Sequence, residues 1–471
     1  MESIKTEIVV LGAGPGGYTA AFYAADRGKK VFLVEQDKRL GGICLNYGCI
    51  PSKALLHATQ VIKEAKGSEA RGIGFGMPRI ELNKVRAWKD SIIAKLAQGL
   101  GGLSQKRGVG VLQGKGHFED SQTLRVETED GQKLIKYEKA IVAAGSKPAL
   151  PSVFDLGDRR IMTSTEALEL EEVPERLLVV GGGYIGMELG TVYARLGSKV
   201  ILVEAMSSIL PEVDSDLVRP VTRCAEKAFQ EVHLNTKVLK IAANGKQIKV
   251  IMDVNGEQKE DFYDRVLVSV GRVPNSTDLG LENTRVTRDK NGFIKVNSQR
   301  QTADPFIYAV GDVTGGPLLA HKASKEAKIA VEVIAGGPSA FEDIVVPAVV
   351  FTDPEVAWCG LTEREAREKG IQVEVVRFPW SASGRAVSLD RPDGLTKLII
   401  EPQTERILGV GISGYGAGEL ISEGVLAVEM GATARDIAES IHPHPTLSET
   451  LMECAESFYG SAIHVLNQKK T

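Results

Sequence analysis

The chain has 471 residues, more than one hydrophobic core supports, so roughly two to four domains are expected. Its 43% hydrophobic and 25% charged residues are ordinary for a soluble globular protein, and a net charge of -4 gives no electrostatic reason to bind nucleic acid or an anionic membrane. Five scattered cysteines exclude a disulfide scaffold; without a signal-like or membrane-spanning apolar run, a reducing, cytoplasmic setting is expected.

The first predicted strand, from Ile8, runs into Gly12-x-Gly14-x-x-Gly17. An Ala-rich helical pattern to Gly28 and a second strand, Val31 to Val34, end at Glu35. The three glycines serve different ends. They allow a tight turn, backbone room for a pyrophosphate, and close packing of helix on strand. Phosphates at such a turn face free N–H groups and the positive end of the helix dipole. The acid at the end of the second strand is placed to accept from a ribose hydroxyl.

Cys44 and Cys49 follow, inside the stretch Gly41 to Lys53. A five-residue step in a straight helix gives about 7.5 Å of rise and a turn of roughly 140°. A disulfide needs Cα atoms within about 7 Å, so a bonded pair requires a broken helix, which Gly48 permits. A dithiol beside a redox cofactor can carry electrons; the plainer alternative is two inert, buried thiols. From Ile50 to Leu103 the pattern predicts helices around an exposed glycine-rich loop at 72–76, and Ile141 to Gly145 predicts a later strand.

A constant offset of 169 residues, from Gly12 to Gly181 and from Glu35 to Glu204, then repeats the whole first unit. Leu177 to Val180 is the strand, Gly181-x-Gly183-x-x-Gly186 the turn, and Val200 to Val203 the strand that ends at Glu204. One such turn is a weak signal; two, each with its acid at the same interval, form a strong one. No basic cluster follows Glu204, so the second site is expected to prefer NAD over NADP.

Val266 to Gly271 and Ile307 to Asp312 predict further strands, with a helix from about Leu319 to Ala335. From about Val346 the pattern becomes antiparallel, with strands at Val349 to Val356, Val373 to Phe378 and Leu395 to Glu401, and helices near 417–430 and 446–458. His444 stands between Pro443 and Pro445, whose fixed φ restricts where the ring can point, and imidazole suits a base near neutral pH. Glu449 is placed to orient that ring, although Thr446-Leu447-Ser448-Glu449 also reads as a capping box. Cys224, Cys359 and Cys454 lack a partner at motif spacing and are expected to be inert.

Together, Gly12 to Gly17, Cys44 to Lys53, Gly181 to Glu188, Gly311-Asp312 and His442 to Glu449 resemble the flavin-dependent pyridine nucleotide-disulfide oxidoreductases over nearly the full length. Within them the chain is most similar to members that oxidise protein-bound dihydrolipoamide with NAD+. The resemblance implies an α/β fold with two Rossmann-like nucleotide-binding domains and a C-terminal α+β dimerisation domain. The expected boundaries are 1–150 for FAD, 151–275 for NAD, 276–345 for a central segment returning to the FAD domain, and 346–471 for dimerisation.

The resemblance assigns Gly12, Gly14, Gly17, Glu35, Lys53, Gly116, Ala144, Gly145, Asp312 and Ala320 to FAD. It assigns Gly181, Gly183, Tyr184, Gly186, Glu204, Val238 and Gly271 to NAD, with Tyr184 either a gate on the nicotinamide face or simple packing. The catalytic set becomes Cys44, Cys49, Lys53, Glu188, His444 and Glu449, with no metal. His444 takes a proton from the substrate dithiol, the thiolate attacks Cys44, and the displaced Cys49 lies against the flavin. His442 is expected only to fix its loop, and a cis bond at Pro445 is in keeping with the family.

The implied partners are a second copy, which supplies His444 across a two-fold interface, and a lipoyl-bearing protein of a 2-oxo acid dehydrogenase or glycine-cleavage system. Two departures stand out: Ala144 where the family often has Thr, and Phe351 where it often has Tyr. The rival readings are another disulfide reductase of the family and a chiefly structural subunit of such a complex.

Overall fold

The computed structural model describes residues 2–342 and 344–466. Three large sheets organise the fold, beside a three-stranded meander and a two-stranded pair, and the first carries the first glycine turn. Its parallel part runs Gly110–Gln113, Val31–Glu35, Glu2–Leu11, Gly131–Val142, and Ile307–Ala309 beyond. Every side chain from Ile8 to Val10 is buried, as expected of a strand covered on both faces. The helix Ala320–Ile334 packs on Pro15–Asp26 in one core, so residues 307–334 return to the sheet begun at the N-terminus.

The second sheet orders Glu231–His233, Lys199–Val203, Arg176–Val180, Arg265–Val268 and Ile161–Met162, all parallel. An antiparallel meander, Thr236–Asn244, Gln247–Val254 and Glu257–Tyr263, packs against it. Both sheets place a glycine turn and a helix after their first long strand, and the protein is an α/β molecule with two Rossmann-like halves. Among the described residues no helix is long and apolar enough to cross a membrane.

The third sheet is antiparallel and is covered by Ala417–Glu429 and Glu449–Tyr459. The strand expected over 349–356 is instead a hairpin: Ala348–Val350 pairs antiparallel with Glu355–Gly360, around a cis Asp353–Pro354 bond. Proline has no N–H for a ladder, so the chain turns there. A central strand, Ile407–Gly414, was not expected because glycine interrupts its pattern. The structure needs those gaps: a Cβ on Gly411 would lie 2.4 Å from Leu217 Cδ1, and one on Gly414 2.4 Å from the Trp380 ring.

Candidate active site

The two glycine turns are built alike. A Cβ on Gly17 would stand 1.7 Å from Gly12 O, and one on Gly186 2.0 Å from Gly181 O, so each third glycine lets the helix close on its turn. The middle glycines differ in kind. Gly14 would meet only Gly42 Cα, at 4.0 Å, and Gly183 would meet nothing within 4 Å. No protein atom demands a glycine there, so the space suits something that is not protein.

The helices Pro15–Asp26 and Tyr184–Leu196 also begin without a side-chain cap or a first-turn acid. Capping boxes close other helices of this chain, at Thr163, Thr362 and Thr433. Two uncapped N-termini at glycine turns leave N–H donors for an anion. The acids match too. Glu35 accepts from Ala13 N at 2.7 Å and Asp37 N at 3.0 Å; Glu204 accepts from Gly182 N at 2.6 Å and Met206 N at 2.8 Å. Burial pushes the Glu35 carboxyl up, and the donors from Asp37 and Ala13 pull against it. Each carboxylate keeps lone pairs free for a ribose hydroxyl.

The first turn opens into a cavity of ≈ 600 Å³. Gly12, Gly14, Glu35, Gly116, Ala144, Gly145, Asp312 and Ala320 line it, and so do Cys44, Cys49, Lys53, Tyr184 and Glu188. The chemistry of the lining fits a dinucleotide, and its volume lies within the usual range of about 300–1,000 Å³ for cofactor pockets.

Outside that lining, Gly17 packs behind the first turn. Also outside it, Gly181, Gly183 and Gly186 form the second turn with Glu204 folded back on it, Val238 leans on the core of the second sheet, and Gly271 follows the strand Arg265–Val268. His444 and Glu449 are outside the lining, and Glu449 begins a helix that covers the third sheet.

The cysteine pair sits where the helix breaks. Gly42–Tyr47 carries Cys44, Cys49–Ser68 begins with Cys49, and Gly48 separates them; a Cβ on Gly48 would lie 3.0 Å from Ile43 O. Both cysteines are thiols in this structure, and they hydrogen-bond to each other. That bond pushes Cys44 far up, with burial and its partner's charge adding to the shift. It holds Cys49 down to about 7, helped by the Lys53 ammonium and opposed by burial and Glu188. Of the two thiols, Cys49 is the one whose surroundings favour the thiolate.

Lys53 Nζ donates to Glu188 Oε2 at 2.7 Å, joining the cysteine-bearing helix to the helix after the second turn. His444 Nδ1 meets Glu449 Oε1 at 2.8 Å, and Thr446 N donates to Glu449 Oε2 at 2.7 Å. One carboxylate thus bonds both the ring and the Thr446 backbone, but no capping box forms, because the helix starts at Glu449 itself and its N-cap, Ser448, makes no side-chain cap bond. The His444 side chain is 76% exposed, its bond to Pro445 is cis, and the half-buried His442 is fixed by Glu423 at 2.7 Å.

The sequence reading missed a second network. Arg272 Nε donates to Ser146 Oγ at 2.7 Å, and Ser146 Oγ donates to Asp312 Oδ2. Ser146 and Arg272 each follow an expected glycine, Gly145 or Gly271, and their short strands pair antiparallel. That adjacency was the available signal. Asp214, Asp216 and Glu363 gather closely enough to hold a cation, but Lys397 Nζ donates to all three, at 2.7, 2.8 and 2.9 Å.

Comparison with known proteins agrees. The profile of the pyridine nucleotide-disulphide oxidoreductases matches residues 6–327, and that of their dimerisation domain matches residues 346–455. A dihydrolipoyl dehydrogenase of Haemophilus influenzae is 47% identical over 469 residues, covering 99% of this chain and 98% of that protein. One from Bacillus subtilis is 43% identical over 464 residues, covering 98% of each. Among solved structures, LpdA from Mycobacterium tuberculosis superposes with a TM-score of 0.88 at 27% identity. The HOCl-induced flavoprotein disulfide reductase RclA from Escherichia coli gives 0.85 at 28%; each covers 96% of this chain and 99% of its own. The chain belongs to the pyridine nucleotide-disulphide oxidoreductase family.

Proposed function

We propose that the chain oxidises a dihydrolipoyl group carried by another protein, using its Cys44–Cys49 pair, FAD and NAD+. The dihydrolipoyl dehydrogenases that match end to end support this reading. The observation that carries it is the cysteine pair at the cavity of the first glycine turn, with surroundings that favour the thiolate at Cys49. FAD would be held by the uncapped N-terminus beyond Gly12 and Gly14, by Glu35, and by Gly116, Ala144, Gly145, Asp312 and Ala320. NAD would lie at Gly181, Gly183, Gly186 and Glu204, with Val238 and Gly271 flanking and Tyr184, 41% exposed, between the two sites. When bound, FAD supplies the two-electron relay from the reduced dithiol to NAD+.

The chain's residues do the sulfur chemistry. His444 accepts a proton from one substrate thiol at Nε2 while Glu449 holds the ring at Nδ1. The resulting thiolate attacks Cys44 Sγ, the Cys44–Cys49 bond breaks, and Cys49 leaves as a thiolate beside Lys53. The second substrate thiol attacks the substrate sulfur of the mixed disulfide, and its proton passes to the departing Cys44 sulfur. This closes the oxidised ring and frees Cys44. The substrate loses two electrons and two protons, and the enzyme's disulfide gains the electrons.

A homodimer in which the second copy brings His444 to these thiols is supported by the exposed ring lying outside the cavity lining and by the dimerisation-domain match. The lipoyl carrier would belong to a 2-oxo acid dehydrogenase or glycine-cleavage system, and a cytoplasmic site of action suits the thiol chemistry. The test is lipoamide-dependent NADH turnover by the purified protein. Turnover abolished by both Cys44→Ser and Cys49→Ser supports the reading; turnover that survives either removes it.

A further inference from the structure

Phe351 stands where three parts of the chain meet. Its backbone N–H donates to Glu188 Oε1 at 3.0 Å, and its ring faces Lys53 Nζ, 4.5 Å from the centroid. One residue of the antiparallel domain thus touches both halves of the Lys53–Glu188 pair. Two residues on, Asp353 repeats the pattern, accepting from Lys63 Nζ at 2.6 Å and Arg195 at 2.7 Å. Lys63 shares a helix with Lys53, and Arg195 shares one with Glu188, so the 351–353 turn clamps both helices at two points.

The ring has a role that a further carboxylate could not fill. Lys53 favours the Cys49 thiolate and Glu188 opposes it. An ammonium held by Glu188 alone is drawn toward a charge that works against the thiolate. An aromatic face attracts the ammonium without adding negative charge.

We propose that Phe351 is a positioning residue: its ring and backbone N–H together hold Lys53 and Glu188 so that the ammonium is presented to Cys49. The inference rests on the reading above that Cys49 is the thiolate beside the cofactor.

The test is a titration of Cys49 by ultraviolet thiolate absorbance in Cys44→Ser holoenzyme. Cys359 and Cys454 remain silent there, pushed up to about 12 by burial. Phe351→Leu raises the Cys49 pKa by about half a unit to one unit, which slows its alkylation at pH 7 by roughly threefold. Glu188→Gln moves it the opposite way, and Phe351→Tyr stays near the parent. Fluorinated phenylalanines at 351 keep the ring's shape while draining its negative face, and they raise the pKa stepwise.

An unchanged titration with both leucine and the fluorinated rings overturns the inference. A Cys49 that does not react ahead of the other thiols in the reduced wild-type protein instead overturns the assignment of Cys49, and the inference falls with it.

Discussion

The two glycine turns share spacing, uncapped helices and a carboxylate folded back on the turn, yet they face different surroundings. The first is roofed: Gly42, at the start of the cysteine-bearing helix, lies against Gly14, and the cavity closes around both. The second has no such cover, with open space over Gly183 and with Val270 and Met206 exposed nearby. On the proposed reading, the same local motif would serve a resident cofactor where the chain folds over it and an exchangeable one where it does not. What is added to the turn, rather than the turn itself, sets the difference.

Substitutions at the glycines break the comparison most severely. Gly17→Ala and Gly186→Ala each drive a methyl into a turn carbonyl, and each is expected to cost about 3 kcal/mol or more in denaturant unfolding. Gly14→Ala and Gly183→Ala separate the turns instead. Both proteins should fold; the first should be purified without flavin colour, whereas the second should keep its flavin and show a KM for NAD raised at least tenfold, or about 1.4 kcal/mol. Normal NAD kinetics in Gly183→Ala would refute the assignment of the second turn.

A smaller effect is expected of the acids. Glu204→Gln weakens NAD binding by roughly tenfold, since a charged acceptor is lost, and leaves flavin content intact. Glu35→Gln should do the reverse. The thiols of the roofed site give the mildest test, through pH. A depressed pKa keeps Cys49 ionised above about 7, so alkylation of the reduced pair at this residue should fall as pH drops through that value. An ordinary cysteine would lose reactivity already near pH 8.5.

Both turns, the cysteine pair and the His444–Glu449 pair were legible because each is local: a few residues whose spacing states its geometry. The capping-box and catalytic readings of Glu449 compete in sequence; in the structure the helix starts at Glu449 itself without a capping box, and the same carboxylate meets the His444 ring. What lay hidden was made by contacts distant in the chain. Ser146 meets Arg272 across 126 residues, and Phe351 meets Glu188 across 163. The strand Ile407–Gly414 was obscured by glycines that only the packed Leu217 and Trp380 explain.

The central claim is that thiols and base from different copies of the chain make one working site. Pairing a Cys44→Ser subunit with a His444→Ala subunit tests it most directly, because each variant alone forms an inactive homodimer. The mixed dimer should recover lipoamide turnover at its single site with both groups intact. A mixed dimer as inactive as its parents would mean that the base acts within its own chain, contradicting the account.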